Sequence, residues 1–380
     1  MTARERGSPV LFVTEGSGGH LVPALEAARL VRASGVPVTV WYARRGRSAS
    51  LTDVLVARAS ADGLACEPVA IPSGSGTLRW LAAARLWGSA RRWIRAHRPA
   101  AVVGFGGGVC VPVILAARGR ARTIIHEQNV VMGRANRWLA GRADVVAVSF
   151  PGTQGVPHGV EPVVTGMPVR AWPAPDPAAR PAAQTFALVV LGGSQGSRAV
   201  NRIVCGMLPE LSKEERARWT LRHLTGTDDV RAVEAAYRQA GVAGRIEPFR
   251  DDMASVYAGA TLAIARAGAA TVAELAQTGT PAILIPYPHA GAHQVANARW
   301  VEAAGGGIVL EESPDVSARL ADLIRTLARD RLRLEGMAAR MRGLARSDAA
   351  ERLARIIVGE ADADLQAPPR RAPDPVIVHA

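Results

Sequence analysis

The sequence predicts an α/β protein made of two consecutive βαβ domains, and three observations predict it. Short β-branched runs alternate with longer Ala/Leu/Arg segments of helical period, the pattern of parallel strands joined by crossover helices. That pattern stops at one proline-rich stretch, GMPVRAWPAPDPAARPAAQ (166–184), and then restarts. The first apolar run of each half leads into a glycine-dense turn, TEGSGGHLVPA (14–24) in one and LGGSQGSRAVN (191–201) in the other. A chain of 380 residues also exceeds the usual size of a single hydrophobic core.

In the first half, strands are expected at 10–13, 38–42, 68–71, 101–103, 123–126 and 145–148, with helices at 23–33, 78–96 and 131–139. Five prolines within 166–184 exclude helix and central strand, because each removes an N–H and fixes φ. This is the expected linker between a first domain at 1–165 and a second at 185–345. The second half predicts strands at 186–193, 221–224, 246–248, 262–265 and 282–286, and helices at 197–208, 230–240, 270–277 and 294–303. Two or three helices follow within 316–359, and the proline-rich end, 361–380, is expected to be a mobile tail.

The net charge of +13 points to an anionic partner, or to a genome that favours arginine, since Lys213 is the only lysine among 46 basic residues. Cys66, Cys110 and Cys205 form no CxxC or Cys/His pattern, so neither a disulfide framework nor a zinc site is expected. The N-terminus lacks the apolar core of a signal peptide, and no apolar run is long enough to span a bilayer. A cytoplasmic protein is expected, with peripheral membrane contact open. Nucleic-acid binding would rest on charge alone and is not expected.

The opening loop puts free backbone N–H groups where an anion or polar substrate can approach. Gly16 and Gly18 fit a dinucleotide fingerprint, but Leu21 occupies its third glycine and no acid ends the second strand. A tight turn accounts for the glycines; His20 in addition suits a general base. The second loop repeats this geometry, with Gly192, Gly193 and Gly196 giving close approach and Ser194 and Gln195 adding donors. Its lack of GK[ST] excludes a Walker A loop. In 265–298, Glu274 fits a ribose diol, though a solvated surface glutamate would read the same way. Arg266 and Arg170 are phosphate or carboxylate partners, or plain surface arginines. His126, Glu127 and Asn129 at a strand end either serve chemistry or fix their own loop.

Taken in order, GSGGHLVPA, GFGG (104–107), HEQN, TGMPVR (165–170), GGSQGSRAVN, FRDDM (249–253), RAGAATVAE and HQVANA resemble the MurG family of glycosyltransferases, across residues 9–358. The resemblance implies a GT-B fold, two Rossmann-like domains facing across a cleft, with a C-terminal helix at 346–360 packing back on the first domain. It also implies inverting transfer of GlcNAc from UDP-GlcNAc to undecaprenyl-pyrophosphoryl-muramoyl-pentapeptide, by a peripheral enzyme on the cytoplasmic face of the cell membrane. Ser194 and the loop of Gly193, Gln195 and Gly196 would meet the diphosphate, and backbone near Arg250 the uracil. Ala269, Ala270, Thr271, Val272 and Ala273 would line the nucleotide, with Glu274 on the ribose. Gln294, Asn129, Arg170, Ser17, Gly18 and Gly19 are implied in donor binding as well. The loops at 16–20 and 104–112, including Gly106, Gly107 and Gly108, would take the acceptor. His20 is the expected base, with Glu127 behind it.

The leaving UDP would be stabilised by helix-terminal N–H groups and Ser194, and domain closure would expel water. No DxD pair ends a strand, so neither metal nor cofactor is expected. The main departures are these: Glu15 stands where the family usually has glycine, Gly108 where it usually has an aromatic, and the acceptor loop PSGSGTLRW (72–80) lacks the usual basic residues. The altered acceptor side leaves as an alternative a GT-B transferase using a UDP-sugar with a different lipid or small-molecule acceptor, and the basic charge leaves a non-catalytic nucleotide-sugar- or anion-binding protein. In LRWLAAARLWGSARRWIRAHR (78–98), Trp and apolar residues interleave with Arg at helical spacing. This fits either a helix on an anionic membrane surface or one packed on the sheet.

Overall fold

The computed structural model describes residues 7–44, 51–70, 77–170, 172, 186–193, 196–250, 252–288 and 293–360. Most of the expected linker, the expected tail, Ser194 and Gln195 lie outside the described residues. The chain divides into two compact units, one reaching to Arg170 and taking up the chain again at Asp348, the other running from Ala171 to Ser347.

The first unit runs β1 (Val10–Glu15), α1 (Gly18–Ala33), β2 (Val38–Ala43), α2 (Leu51–Ala61), β3 (Ala65–Val69), α3 (Thr77–His97), β4 (Ala101–Gly104), α4 (Cys110–Ala117), β5 (Arg122–Glu127), α5 (Arg134–Ala140), β6 (Val145–Val148) and β7 (Val163–Val164). Its strands form one parallel sheet in the order β3-β2-β1-β4-β5-β6-β7. The second unit runs β8 (Phe186–Leu191), α6 (Arg198–Met207), α7 (Lys213–Arg218), β9 (Trp219–Leu224), α8 (Val230–Ala240), β10 (Gly244–Glu247), α9 (Met253–Ala258), β11 (Leu262–Ala265), α10 (Ala269–Thr278), β12 (Ala282–Leu284), α11 (His293–Ala303), β13 (Gly307–Val309), α12 (Val316–Arg329) and α13 (Arg331–Gly343). Its parallel sheet has the order β10-β9-β8-β11-β12-β13.

Both sheets reverse strand order beside their first strand, β1 against β4 and β8 against β11. At such a switch point the loops leaving the carboxyl ends diverge and open a crevice for ligands. The central strands are continuous apolar runs because helices cover both faces. Val10, Leu11, Phe12 and Val13 are all buried, as are Leu188, Val189, Val190 and Leu191.

A last helix, α14 (Ala349–Val358), belongs to the first unit and packs on α1. It buries Leu353, Ile356 and Ile357 with Leu21, Leu25 and Ala28 in one core cluster, each large side chain contributing about 2 kcal/mol. Arg122 Nη1 donates to the Ile356 carbonyl at 2.6 Å, satisfying a C-terminal acceptor of the helix.

Several local expectations change. The first helix starts at Gly18, not at residue 23: the glycine turn is itself wound into helix, and Pro23 lies inside it. Helices α2 and α4 were not expected. Cys110–Ala117 is apolar around most of its surface and buried, so it carries no amphipathic period. Strands β7 and β13, of two and three residues, are too short to read from sequence.

Candidate functional site

In the first unit the loops after β1 and β4 meet. Phe105 N donates to Val13 O at 2.9 Å, holding the start of the 105–109 turn against the end of β1. His20 lies in the first turn of α1. Ser17 has the extended backbone of an N-cap but makes no side-chain cap; its Oγ instead lies 2.7 Å from His20 Nδ1. With Nδ1–H donating to Ser17 Oγ, the lone pair sits on Nε2, which faces the second loop: a Cβ on Gly106 would lie 3.1 Å from His20 Nε2. Gly106 and Gly107 have φ of 82° and 83°, conformations that favour glycine.

Glu15 also lies along this turn. A Cβ on Gly107 would fall 2.0 Å from Glu15 Cγ, so the Glu15 side chain takes the space that any side chain at 107 would need. Gly108 has open space where a Cβ would be. Beneath the turn, Cys110 Sγ donates to Gly106 O at 2.9 Å, and burial followed by the Glu15 charge pushes its thiol well up. Cys110 is a buried wedge in this turn. Gly16 is pressed so close to Ala43 O that a Cβ would stand 2.3 Å away, and Thr52 Oγ1 donates to Gly16 O.

The HEQN segment is a locked loop. Glu127 is 2% exposed and accepts four hydrogen bonds: from Asn129 N and Nδ2, Gly133 N, and Asn136 Nδ2. Every lone-pair direction a carboxylate normally uses is thus committed, which gives the side chain a loop-fixing geometry. Asn136, not singled out from the sequence, also donates to His126 O at 3.0 Å. Burial pulls the His126 pKa down to about 4. Its Nδ1 accepts from Gln128 Nε2, so Nε2–H donates to Gly166 O at 3.2 Å, tying β5 to the TGMP segment. Arg170 is exposed at the end of that segment.

In the second unit the loops after β8 and β11 meet in the same way. Arg266 N donates to Leu191 O at 3.2 Å. The Arg266 side chain is neither a surface group nor a vacant anion partner. It is 6% exposed, and donates to Ser197 Oγ, Ile285 O and Glu312 Oε1 at 3.0, 3.0 and 2.8 Å. One guanidinium therefore joins the loops after β8, β12 and β13 to its own.

At the described ends of the glycine loop, Gly196 N donates to Gly193 O at 3.0 Å, and Ser197 Oγ caps α6 by accepting from Val200 N. Helix α10 begins at Ala269 after the extended Gly268. Ala269 and Val272 bury their side chains, so at these two positions only backbone can meet a ligand, whereas Ala270, Thr271 and Ala273 are partly accessible. Glu274 accepts from Tyr257 O–H at 2.9 Å. Burial raises its pKa to about 7 against the lowering effect of that bond. Gln294 Oε1 accepts from Tyr287 N at 3.0 Å, and buried Asn297 donates to Ala267 O at 3.0 Å. Arg250 donates to Glu247 at 2.9 Å beside the end of β10. Tyr257, Asn136 and Asn201 escaped sequence reading because their contacts, to Glu274, to Glu127 and to His223, form only when the chain folds.

Among the described residues no cluster of three or more His, Cys, Asp or Glu side chains could hold a metal ion, and no helix is long and apolar enough to cross a membrane. Trp80, Leu81 and Trp87 of α3 are nonetheless exposed, as is Trp138 of α5. Arg91 lies over Trp87 and Arg142 over Trp138.

Residues 10–148 match the glycosyltransferase family 28 N-terminal domain and residues 187–353 its C-terminal domain. The chain is 41% identical to the UDP-N-acetylglucosamine--N-acetylmuramyl-(pentapeptide) pyrophosphoryl-undecaprenol N-acetylglucosamine transferase of Alkalilimnicola ehrlichii, over 93% of this chain and 99% of the relative. The protein of that name from Mesorhizobium japonicum is 40% identical over 91% of this chain and 93% of its own length. Among solved structures, Acinetobacter baumannii MurG matches with a TM-score of 0.75 and 30% identity, covering 92% of this chain and 99% of its own. The calicheamicin glycosyltransferase CalG4 matches with a TM-score of 0.62 at 15% identity, over 94% of this chain and 99% of its own, a likeness of fold.

Proposed function

Because the chain belongs to the MurG family of glycosyltransferases, we propose that it transfers GlcNAc from UDP-GlcNAc to undecaprenyl-pyrophosphoryl-muramoyl-pentapeptide with inversion, forming the lipid-linked disaccharide of peptidoglycan. The observation that carries a catalytic reading is the His20 imidazole at the β1/β4 switch point, oriented by Ser17 at 2.7 Å.

His20 is the base in this reading. Its Nε2 takes the proton of the acceptor hydroxyl as that oxygen attacks the anomeric carbon from the face opposite UDP. Glu127 is a positioning residue, because its four donors leave it no room to accept a substrate proton. On the donor side, Glu274 accepts from the ribose hydroxyls. The glycine turn and the start of α6 hold the diphosphate, and the partial positive charge of the helix N-terminus offsets the charge that grows on UDP. Exposed Trp80 and Leu81 on the Arg-rich α3 support attachment to an anionic membrane surface, which for a lipid-linked acceptor and a soluble nucleotide sugar is the cytoplasmic face.

A second reading rests on the acceptor turn. Glu15 fills the flank of Gly107, and the space beside Gly108 is open; both fit a UDP-sugar transferase with a different acceptor. The test uses labelled UDP-GlcNAc with muramoyl-pentapeptide pyrophosphoryl lipid, separating product from free sugar. Transfer is expected. Absence of transfer, with UDP-GlcNAc binding that is lost in Glu274→Ala, would favour the second reading. Absence of nucleotide binding would end both.

A further inference from the structure

The nucleotide unit contains a buried polar chain that the donor chemistry does not use directly. Asn201 Nδ2 donates to Thr225 O at 3.0 Å and to Asp229 Oδ2 at 2.8 Å. Its Oδ1 must therefore accept, and the donor is His223 Nε2–H at 3.0 Å. That leaves His223 Nδ1 as acceptor from the Tyr237 hydroxyl at 3.2 Å. Every hydrogen in the chain has one direction: Tyr237 to His223, His223 to Asn201, Asn201 to Thr225. His223 is fully buried, Tyr237 is 2% exposed and Asn201 3%. Burial pulls the His223 pKa down to about 4, which keeps the ring neutral and the polarity of the chain fixed at physiological pH.

The chain ends on the Thr225–Gly226 turn, and that turn touches both halves of the proposed donor site. On one side, the glycine loop is pressed onto it: a Cβ on Gly196 would stand 2.3 Å from Thr225 O, the same carbonyl that Asn201 holds. On the other side, Thr225 N donates to Glu247 O and Gly226 N to Pro248 O, both at 3.0 Å. Those carbonyls begin the segment that leads to Arg250, and Glu247 itself binds Arg222 and Arg250. The glycine loop and the Arg250 segment are far apart in sequence, and Thr225–Gly226 buckles them together.

We propose that Asn201 is a positioning residue for donor binding: backed by His223 and Tyr237, it fixes the Thr225–Gly226 turn and so sets the distance between the diphosphate loop and the nucleobase-side segment. This rests on the donor assignment above. A ligand that spans both halves depends on the buckle, whereas a ligand occupying only the nucleobase half does not.

The test is calorimetric titration of the full-length protein and its Asn201→Ala and Tyr237→Phe variants with UDP and, separately, with uridine. Asn201→Ala is expected to weaken UDP binding by about tenfold, the loss typical when a buried hydrogen-bonding group is left unmatched, while uridine binding changes by less than about twofold. Tyr237→Phe removes only the far end of the chain and is expected to shift the UDP affinity the same way by about threefold. It also carries the test should Asn201→Ala fail to fold. Equal loss for UDP and uridine, or a lowered melting temperature with both affinities intact, would overturn the proposal. Failure of the unaltered protein to bind UDP would overturn the donor assignment as well. Normal UDP binding with an unchanged UDP-to-uridine ratio in the variants would overturn this inference alone.

Discussion

The Tyr257 hydroxyl donates to Glu274 Oε2 at 2.9 Å, joining α9 to α10 at a carboxylate whose pKa burial has raised to about 7. The charge of Glu274 is therefore set by conditions near neutrality, although ordinary glutamates are fully ionised there.

Donor affinity should follow that charge. In the proposed donor site the ribose hydroxyls would donate to the carboxylate form, so UDP-GlcNAc affinity is expected to rise as pH increases through about 7 and to level off above it. Below the midpoint it should fall by up to about tenfold per pH unit. UDP-GlcNAc suits the measurement because its diphosphate diester does not titrate in this range. Tyr257→Phe removes the bond that lowers the Glu274 pKa, so the midpoint should move up; Glu274→Gln should flatten the profile. Stability of the ligand-free protein runs the other way. A carboxyl raised from 4.5 to about 7 on folding contributes fully below the lower value, and that contribution is lost as pH rises through the upper one. Thermal melts of the wild type against Glu274→Gln at pH 5 and 8 check the sign.

His20→Ala is expected to lower kcat by about 10²–10⁴-fold, the range for loss of a general base. Its affinity for UDP, measured by titration, should stay near the wild-type value. Ser17→Ala should lower kcat by about tenfold through misorientation of the ring. Equal loss of UDP affinity in His20→Ala would mark His20 as a binding group instead.

Glu127→Gln separates a base from a loop anchor. As a base, Glu127 would lose activity on substitution with no change in stability. With four N–H donors aimed at its carboxylate, the amide must turn its own NH₂ toward some of them. A loss of about 3 kcal/mol in unfolding free energy is expected by denaturant titration.

Gly107→Ala should destabilise the protein by about 2 kcal/mol or more, from a left-handed backbone and overlap with the Glu15 side chain. The double variant Glu15→Gly, Gly107→Ala should recover the overlap part and retain the backbone part. A double-mutant cycle by chemical denaturation measures that coupling.

Vesicle sedimentation tests the exposed face of α3. Binding to anionic vesicles is expected at low salt and should weaken as salt rises. Trp80→Ser with Leu81→Ser should reduce it by about tenfold, at unchanged UDP affinity. Absence of binding to anionic vesicles at low salt would sink the membrane assignment.

Much of this architecture is written in local patterns. The strand at Leu262–Ala265 and the helix at Val230–Ala240 keep the bounds that their residues imply; Gly241 ends that helix in the left-handed conformation expected of a C-terminal glycine. Local reading failed where a residue's environment comes from afar. Arg266 reads as one more arginine in an arginine-rich chain, yet Glu312 draws it into the interior from 46 positions away. Glu127 reads as an acid at a strand end, and only the return of the chain at Gly133 and Asn136 shows that its oxygens are committed. Glu15 reads as an isolated departure and Gly107 as one more loop glycine until the turn brings them side by side. The loops of the site were legible; the bonds that hold them were not.

The placement of α14 sets an order of assembly. Its Leu353, Ile356 and Ile357 complete the core around α1, yet they leave the ribosome after the whole second unit has been made. The unit that starts first is thus the one that finishes last. Until the final helix docks, the newborn N-terminal half carries an open apolar seam along α1, and a chain stopped at Ser347 would keep that seam for good.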